Sequence, residues 1–386
     1  MSGSPDRIRL SENSIGQLEK ESVSEALSQP WLINGPYVVK FETRMGEFLG
    51  CRHAIAVTSC TTGMQVALAS LGPRNGDECI LPAFNFCAAA QAVRASGFMP
   101  VLCDVGLDGN MRAEDIERVA GPKTRAVLGL HYAGWPLDLE EIASCCQNLG
   151  VAMISDAAHA LGATYDGRQV SEHCDAAVYS FGPTKHVVAG MGGLIATDRE
   201  DIAAFARGYR SYGMDASMYD RQDDKHPWYY DVPAQGNNFR MSDINASVAL
   251  PQLDKWPAIV ERRRVVAGDY ARSIERLNLV DCLQPLTDSR REHACLYQVI
   301  RLRAAMSRDE VCSYLNRHGI NASVHWARTL NEFSAFADSR APGSVENSIR
   351  LAASILSLPL HQNMTSENVS RVAECLDQAL KQAGDR

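Results

Sequence analysis

Between residues 53 and 197 short apolar runs alternate with stretches of helical spacing, and this rhythm constrains the fold more than any other feature. Residues 53–59 read as a strand, and 61–71, with Met64, Ala67, Leu68 and Leu71 on one face, read as a helix. Further strands are predicted over 78–82, 99–105, 124–131 and 151–157, with helices over 87–96 and 138–149. Runs 175–181 and 193–197 close the region. Strands separated by helices form βαβ units, so the expected fold class is α/β, with a mostly parallel sheet covered by helices.

The rest of the chain is organised differently. Asp198-Arg199-Glu200 is expected to open a helix through Arg207, followed by a polar and aromatic stretch, 212–236, that contains Trp228-Tyr229-Tyr230 and has no period. Connections of that length are usually functional or form interfaces. Ser242-Asp243 caps an apolar helix that Pro251 is expected to interrupt, and a long helix is predicted over 256–277. Strands over 295–302 and 320–326 and helices over 307–318, 347–356 and 366–383 complete a smaller C-terminal α/β domain. The expected division is 1–254 for the N-terminal segment and large domain, and 255–386 for the small one.

Composition narrows the function classes. Lys plus Arg is 38 and Asp plus Glu is 46, a formal charge of −8, which argues against nucleic-acid or anionic-membrane partners. Twelve cysteines are scattered with no C-x-x-C spacing, so neither a disulfide scaffold nor a metal site is expected, and reduced thiols suit a cytoplasmic location. The first 21 residues lack the apolar core of a signal peptide, and no run reaches 18 apolar residues.

Three places suggest chemistry. Thr58-Ser59-Cys60-Thr61-Thr62-Gly63 joins a strand to a helix, where hydroxyls and free N–H groups suit a phosphate and serve equally as an ordinary cap. Asp156 ends an apolar strand, beyond which ligands sit in parallel sheets; it too could simply cap the next turn. Lys185 follows Ser180-Phe181-Gly182-Pro183-Thr184, and a lysine on a loop is ordinarily just solvated. Together the three supply what pyridoxal 5'-phosphate requires: an anion cradle, a carboxylate for the ring nitrogen and an amine for the Schiff base. No Walker loop or Rossmann glycine fingerprint competes with that reading.

The sequence resembles the DegT/StrS-type sugar aminotransferases, PLP-dependent enzymes of fold type I with an aspartate-aminotransferase-like fold. The likeness runs from Gly35-Pro36 to Leu358-Pro359-Leu360-His361. It is carried by Ser59 to Met64 for S-G-T-A-A-L, Gly76 to Pro82 for G-D-E-V-I-x-P, and Phe84-Asn85-Phe86 where the family has T-F or T-W. Asp156-Ala157-Ala158-His159 stands for D-A-A-[QH], Ser180 to Lys185 for S-F-x-x-x-K, and Gly236 to Arg240 for G-x-N-x-R.

The resemblance implies that Lys185 holds the cofactor and shuttles the proton, and that Asp156 pairs with the ring nitrogen. Phe86 and Ala158 flank the ring, His159 lies near its polar edge, and Thr61, Thr62 and Ser180 hold the phosphate. Asn238 reaches the phosphate of a neighbouring subunit, making the unit a homodimer with shared sites. The implied reaction moves an amino group from glutamate or glutamine to a keto-sugar, as a sugar nucleotide, or to a keto-cyclitol, in a biosynthetic pathway. Dehydrating or deoxygenating relatives carry histidine in place of the lysine, and His186 lies one position along. A non-catalytic regulatory protein is a further possibility on this fold. The pattern is departed from at Cys60 (glycine in the family), at Met191 within Gly190-Met191-Gly192-Gly193, and at His325-Trp326-Ala327-Arg328 where H-Y-x-P is usual. Arg328, Trp228 and Tyr229, with Tyr230, are therefore expected to shape the acceptor pocket.

Overall fold

The computed structural model describes residues 7–216, 219–277, 280–303 and 306–384. Helices α1 (Gln17–Leu27) and α2 (Pro36–Leu49) precede β1 (His53–Val57), α3 (Cys60–Ala69), β2 (Glu78–Pro82), α4 (Cys87–Ala95) and β3 (Met99–Cys103). Then come α5 (Ala113–Val119), β4 (Thr124–Leu130), α6 (Leu139–Leu149) and β5 (Ala152–Asp156). A short pair, β6 (Thr164–Tyr165) and β7 (Arg168–Gln169), leads to β8 (Ala176–Ser180), β9 (Gly193–Thr197) and α7 (Glu200–Tyr209).

Seven of these strands form one sheet in the order β1-β9-β8-β5-β4-β2-β3. Pairs β3–β2, β2–β4, β4–β5 and β5–β8 are parallel, and β9 runs antiparallel to both neighbours. Successive residues face opposite sides: Ile80, Val127 and Met153 enter one core cluster, Leu81, Leu128 and Ile154 the other. Burial on both faces is why these strands read as continuous apolar runs.

Helix α8 (Asp243–Ile274) links this sheet to the C-terminal part. The interruption expected at Pro251 does not occur, since Pro251 and Pro257 both lie inside one 32-residue helix. A helix-interior proline costs roughly 3 kcal/mol, whereas burying Leu250, Leu253 and Trp256 in the large core contributes about 1.5–3 kcal/mol per side chain. Burial wins. The amide of Gln252 strengthens the same turn, donating to the carbonyl oxygens of Val188 and Val248 at 2.7 Å each. Further along, Val266, Ala267, Tyr270 and Ile274 of α8 pack in a second core with Ile8, Leu315 and Leu376.

That second core surrounds β10 (Val280–Cys282), β12 (Gln298–Leu302) and β13 (Ile355–Leu358), an antiparallel sheet in that order, flanked by α9 (Arg308–Arg317), α10 (Glu346–Ser354) and α11 (Ser366–Gly384). Strand β11 (Arg291–Glu292) pairs instead with β6. Two expectations are corrected here. The helix predicted over 347–356 stops at Ser354, and Ile355–Leu358 is a strand buried throughout; a short apolar run fits either period. The strand predicted over 320–326 survives only as isolated bridges at Ile320 and Ser323, because the chain leaves the small sheet to place Trp326 against Phe84 and Tyr132, 5.4 and 5.5 Å between ring centroids. No helix among the described residues is long and apolar enough to cross a membrane, and none of the twelve cysteines is paired.

Candidate active site

The carboxyl ends of β1, β5 and β8 bring the predicted residues together. Asp156 ends β5 and Ser180 ends β8, and the two strands are in register through Asp156 and Val178. Ser59 caps α3: its hydroxyl accepts from Thr62 N–H at 3.2 Å, while Thr62 Oγ1 accepts from Ser59 N–H at 3.1 Å. The Thr62 hydroxyl is thus committed to the cap, also donating to the Ser59 carbonyl at 2.8 Å. The N–H groups of Cys60 and Thr61 and the Thr61 hydroxyl have no partner among the described residues, and they lie at the positive end of the α3 dipole. Two glycines press this turn into place. A Cβ on Gly193 would meet the Ser59 carbonyl carbon at 2.3 Å, and one on Gly63 would meet Val178 at 2.6 Å.

Asp156 is buried, and its Oδ1 accepts from Ala158 N–H at 3.1 Å and lies 3.8 Å from Cys60 Sγ. Burial pushes its pKa up; the Ala158 N–H and the Lys185 charge oppose that. The Lys185 charge also acts on His159 and His325. Burial first, then that charge, pushes His159 well below its ordinary value and brings His325 down to about 4. One electrostatic neighbourhood therefore contains Lys185, Asp156, His159 and His325. His159 Nδ1 is sealed from solvent and unpartnered.

Phe86 stands at the start of α4 with 54% of its surface exposed, its ring 6.4 Å from that of Trp326 and 25° from parallel. The Trp326 indole also lies 6.0 Å from the His159 ring. Ala158 is half-buried against the core on the α3 side. His186, one residue past the lysine, is turned inward, with Nε2 2.7 Å from the Ala294 carbonyl oxygen. It is not placed to substitute for Lys185.

The remaining predicted residues are exposed. Asn238 is exposed beside the end of β1, its Oδ1 accepting from Arg240 Nε at 3.1 Å. Trp228 and Tyr229 are 64% and 73% exposed and pack on His226 in their own loop, while Tyr230 stacks under Arg221. Arg328 is exposed two residues beyond Trp326, with no hydrogen-bonded or ion-paired partner among the described residues.

Sequence reasoning missed Tyr132, Tyr297 and the positions of His325 and Trp326 within the site. Tyr297 OH is 3.2 Å from Thr184 Oγ1, Tyr132 OH donates to the His325 carbonyl, and His325 Nδ1 is 2.9 Å from Ser357 Oγ. The only available signal was the His325-Trp326 departure from the family's His-Tyr.

The arrangement fits pyridoxal phosphate: unpartnered N–H groups at a helix start for its phosphate, a buried carboxylate for its nitrogen, an orphaned imidazole nitrogen for its polar edge, and an exposed aromatic face to stack on it. Asp156 at the end of β5 and Lys185 on the loop after β8 are placed as a PLP enzyme of fold type I requires. Residues 13–377 match the DegT/DnrJ/EryC1/StrS aminotransferase family. The chain belongs to that family and is a PLP-dependent aminotransferase. It is similar to the aminotransferase TlmJ from Streptoalloteichus hindustanus, with 31% identity over 97% of this chain and 99% of that one and a TM-score of 0.89. DesI, solved in the presence of its TDP-sugar product, shares 28% identity over 100% of this chain and 96% of its own, with a TM-score of 0.87. The fold is also that of Spr1654 from Streptococcus pneumoniae at 21% identity, with a TM-score of 0.91 and coverage of 97% and 100% for its PMP form, and 0.90 with 98% and 99% for its PLP form.

Proposed function

We propose that the enzyme takes an amino group from glutamate or glutamine and delivers it to a ketone on a sugar nucleotide or on a keto-cyclitol. The observation that carries this reading is Asp156 at the end of β5 under the charge of Lys185, on the loop that follows β8, and DesI, with its TDP-sugar product, supports a sugar-type acceptor.

Bound pyridoxal phosphate would carry the amino group between donor and acceptor and spread the charge left on carbon into its ring. In that setting Lys185 anchors the cofactor and then moves the proton between the two reacting carbons through Nζ. Asp156 keeps the proton on the ring nitrogen. Phe86 and Ala158 set the ring plane, so that the breaking C–H bond lines up with the π system. The Cys60 and Thr61 N–H groups, with the hydroxyls of Thr61 and Ser180, hold the phosphate; Thr62 contributes by ordering the turn. Arg328, exposed two residues beyond Trp326, offers a guanidinium to an acidic part of the acceptor. The exposed Trp228-Tyr229-Tyr230 run and Asn238 serve the site of a second copy in a homodimer.

Borohydride treatment of the loaded protein tests the assignment: the cofactor should be trapped on the peptide carrying Lys185, and trapping on another lysine would overturn it. Loading with glutamate or glutamine, then asking which ketone restores the visible band, tests donor and acceptor.

A further inference from the structure

Cys60 brings a thiol to the floor of the site, where the family pattern has glycine. Its sulfur lies 3.8 Å from Asp156 Oδ1 and 3.5 Å from the Val178 carbonyl oxygen. The thiol has one hydrogen and two acceptors. Val178 O already accepts from Ala157 N–H at 2.9 Å, and a charged carboxylate is the stronger acceptor. The thiol hydrogen therefore belongs to Asp156 whenever that group is ionised. Oδ1 then holds two donors, Cys60 and Ala158, while Oδ2 accepts nothing from the described residues. Turning the carboxylate plane away from this orientation would weaken both contacts together.

We propose that Cys60 is a positioning residue for Asp156, pinning Oδ1 so that Oδ2 is held free for the cofactor's ring nitrogen. The inference rests on Asp156 being the partner of that nitrogen. Burial and the neighbouring carboxylate raise the thiol well above its ordinary pKa, so it stays protonated and remains a donor rather than a nucleophile. Cys60 is itself buried, which keeps water from replacing it on Oδ1.

The test compares two cofactors on the full-length protein, freed of PLP and titrated back: pyridoxal phosphate and its 1-deaza analogue, which lacks the ring nitrogen. C60A removes the donor and keeps a Cβ. It should weaken pyridoxal phosphate binding by about three- to tenfold, the range of an ordinary hydrogen bond, because a thiol is a weak donor, and leave the analogue within about twofold of the parent. C60S, which restores a donor, should recover most of the lost affinity. Equal losses for both cofactors would make Cys60 merely structural and overturn the proposal, as would an unchanged affinity for pyridoxal phosphate. D156N separates the two levels. If D156N discriminates between the cofactors and C60A does not, the role of Cys60 fails alone; if D156N does not discriminate, the assignment of Asp156 fails with it.

Discussion

The Tyr297 ring lies on the His325 imidazole with centroids 4.5 Å apart and planes 17° from parallel. Tyr297 immediately precedes β12, and His325 leaves the same small sheet held by Ser357. Through the contact of Tyr297 OH with Thr184, this stack ties the C-terminal part of the chain to the loop that carries Lys185.

Burial of three histidines has a consequence for acid stability. Burial, then the Lys185 charge, holds His325 down to about 4, and burial holds His131 and His293 down to about 3. In the unfolded chain each titrates near its ordinary value of about 6.5. From about pH 6.5 downward the unfolded state therefore binds more protons, and stability falls by about 1.4 kcal/mol per pH unit for each such histidine. The contribution is complete above pH 6.5 and is lost as pH falls toward the folded values. Asp156, shifted up by burial, acts in the opposite sense and nearer the carboxylate range. Melting temperatures measured from pH 7.5 to 4.5 should drop steeply below about pH 6.5, and a flat profile would contradict the buried-neutral state.

Phe86 separates fold from function. Its ring is more than half exposed, so Phe86→Ala should change the stability of the cofactor-free protein by no more than about 0.5 kcal/mol. The stacking it offers the cofactor is worth about 1 kcal/mol, so affinity for pyridoxal phosphate should fall roughly fivefold. Fluorescence titration alongside thermal melting checks both halves; a large loss of melting temperature with intact binding would place Phe86 in the core.

Arg328 is exposed and makes no hydrogen bond among the described residues, its charge acting only at longer range on Glu332, so Arg328→Ala should leave melting nearly unchanged. KM for an acidic acceptor should rise by about tenfold, the loss of one charge-assisted hydrogen bond. The donor half-reaction, followed spectroscopically, should keep its rate. If acceptor KM does not move, Arg328 plays no part in acceptor binding.

Arg263 tests the junction between the two sheets. It is fully buried in α8, and Nη1 donates to the carbonyl oxygens of Cys295, Leu296 and Leu360 at 3.2, 3.3 and 3.1 Å. Burial lowers its pKa to about 10, still charged at neutrality. Arg263→Ala strips three carbonyls of their donor and leaves a cavity, so unfolding free energy should fall by about 3 kcal/mol or more. Urea titration measures it, and a loss under about 1 kcal/mol would mean that water replaces the guanidinium.

The sequence by itself determined the central sheet and the three landmarks of the site. Strands buried on both faces write themselves as apolar runs, and Ser59, Asp156 and Lys185 sit at fixed short distances from the ends of such runs. Only the tertiary structure decided that α8 continues through Pro251, that residues 355–358 form a strand, and that Tyr297 reaches the lysine loop while Trp326 packs near His159. Local spacing carries no information about contacts between residues more than a hundred positions apart. Such contacts exist because docking the small sheet on the large one buries apolar side chains of both, Phe84, Leu130 and Tyr132 against Tyr297, Val299 and Ile355, and that free energy belongs to no single segment.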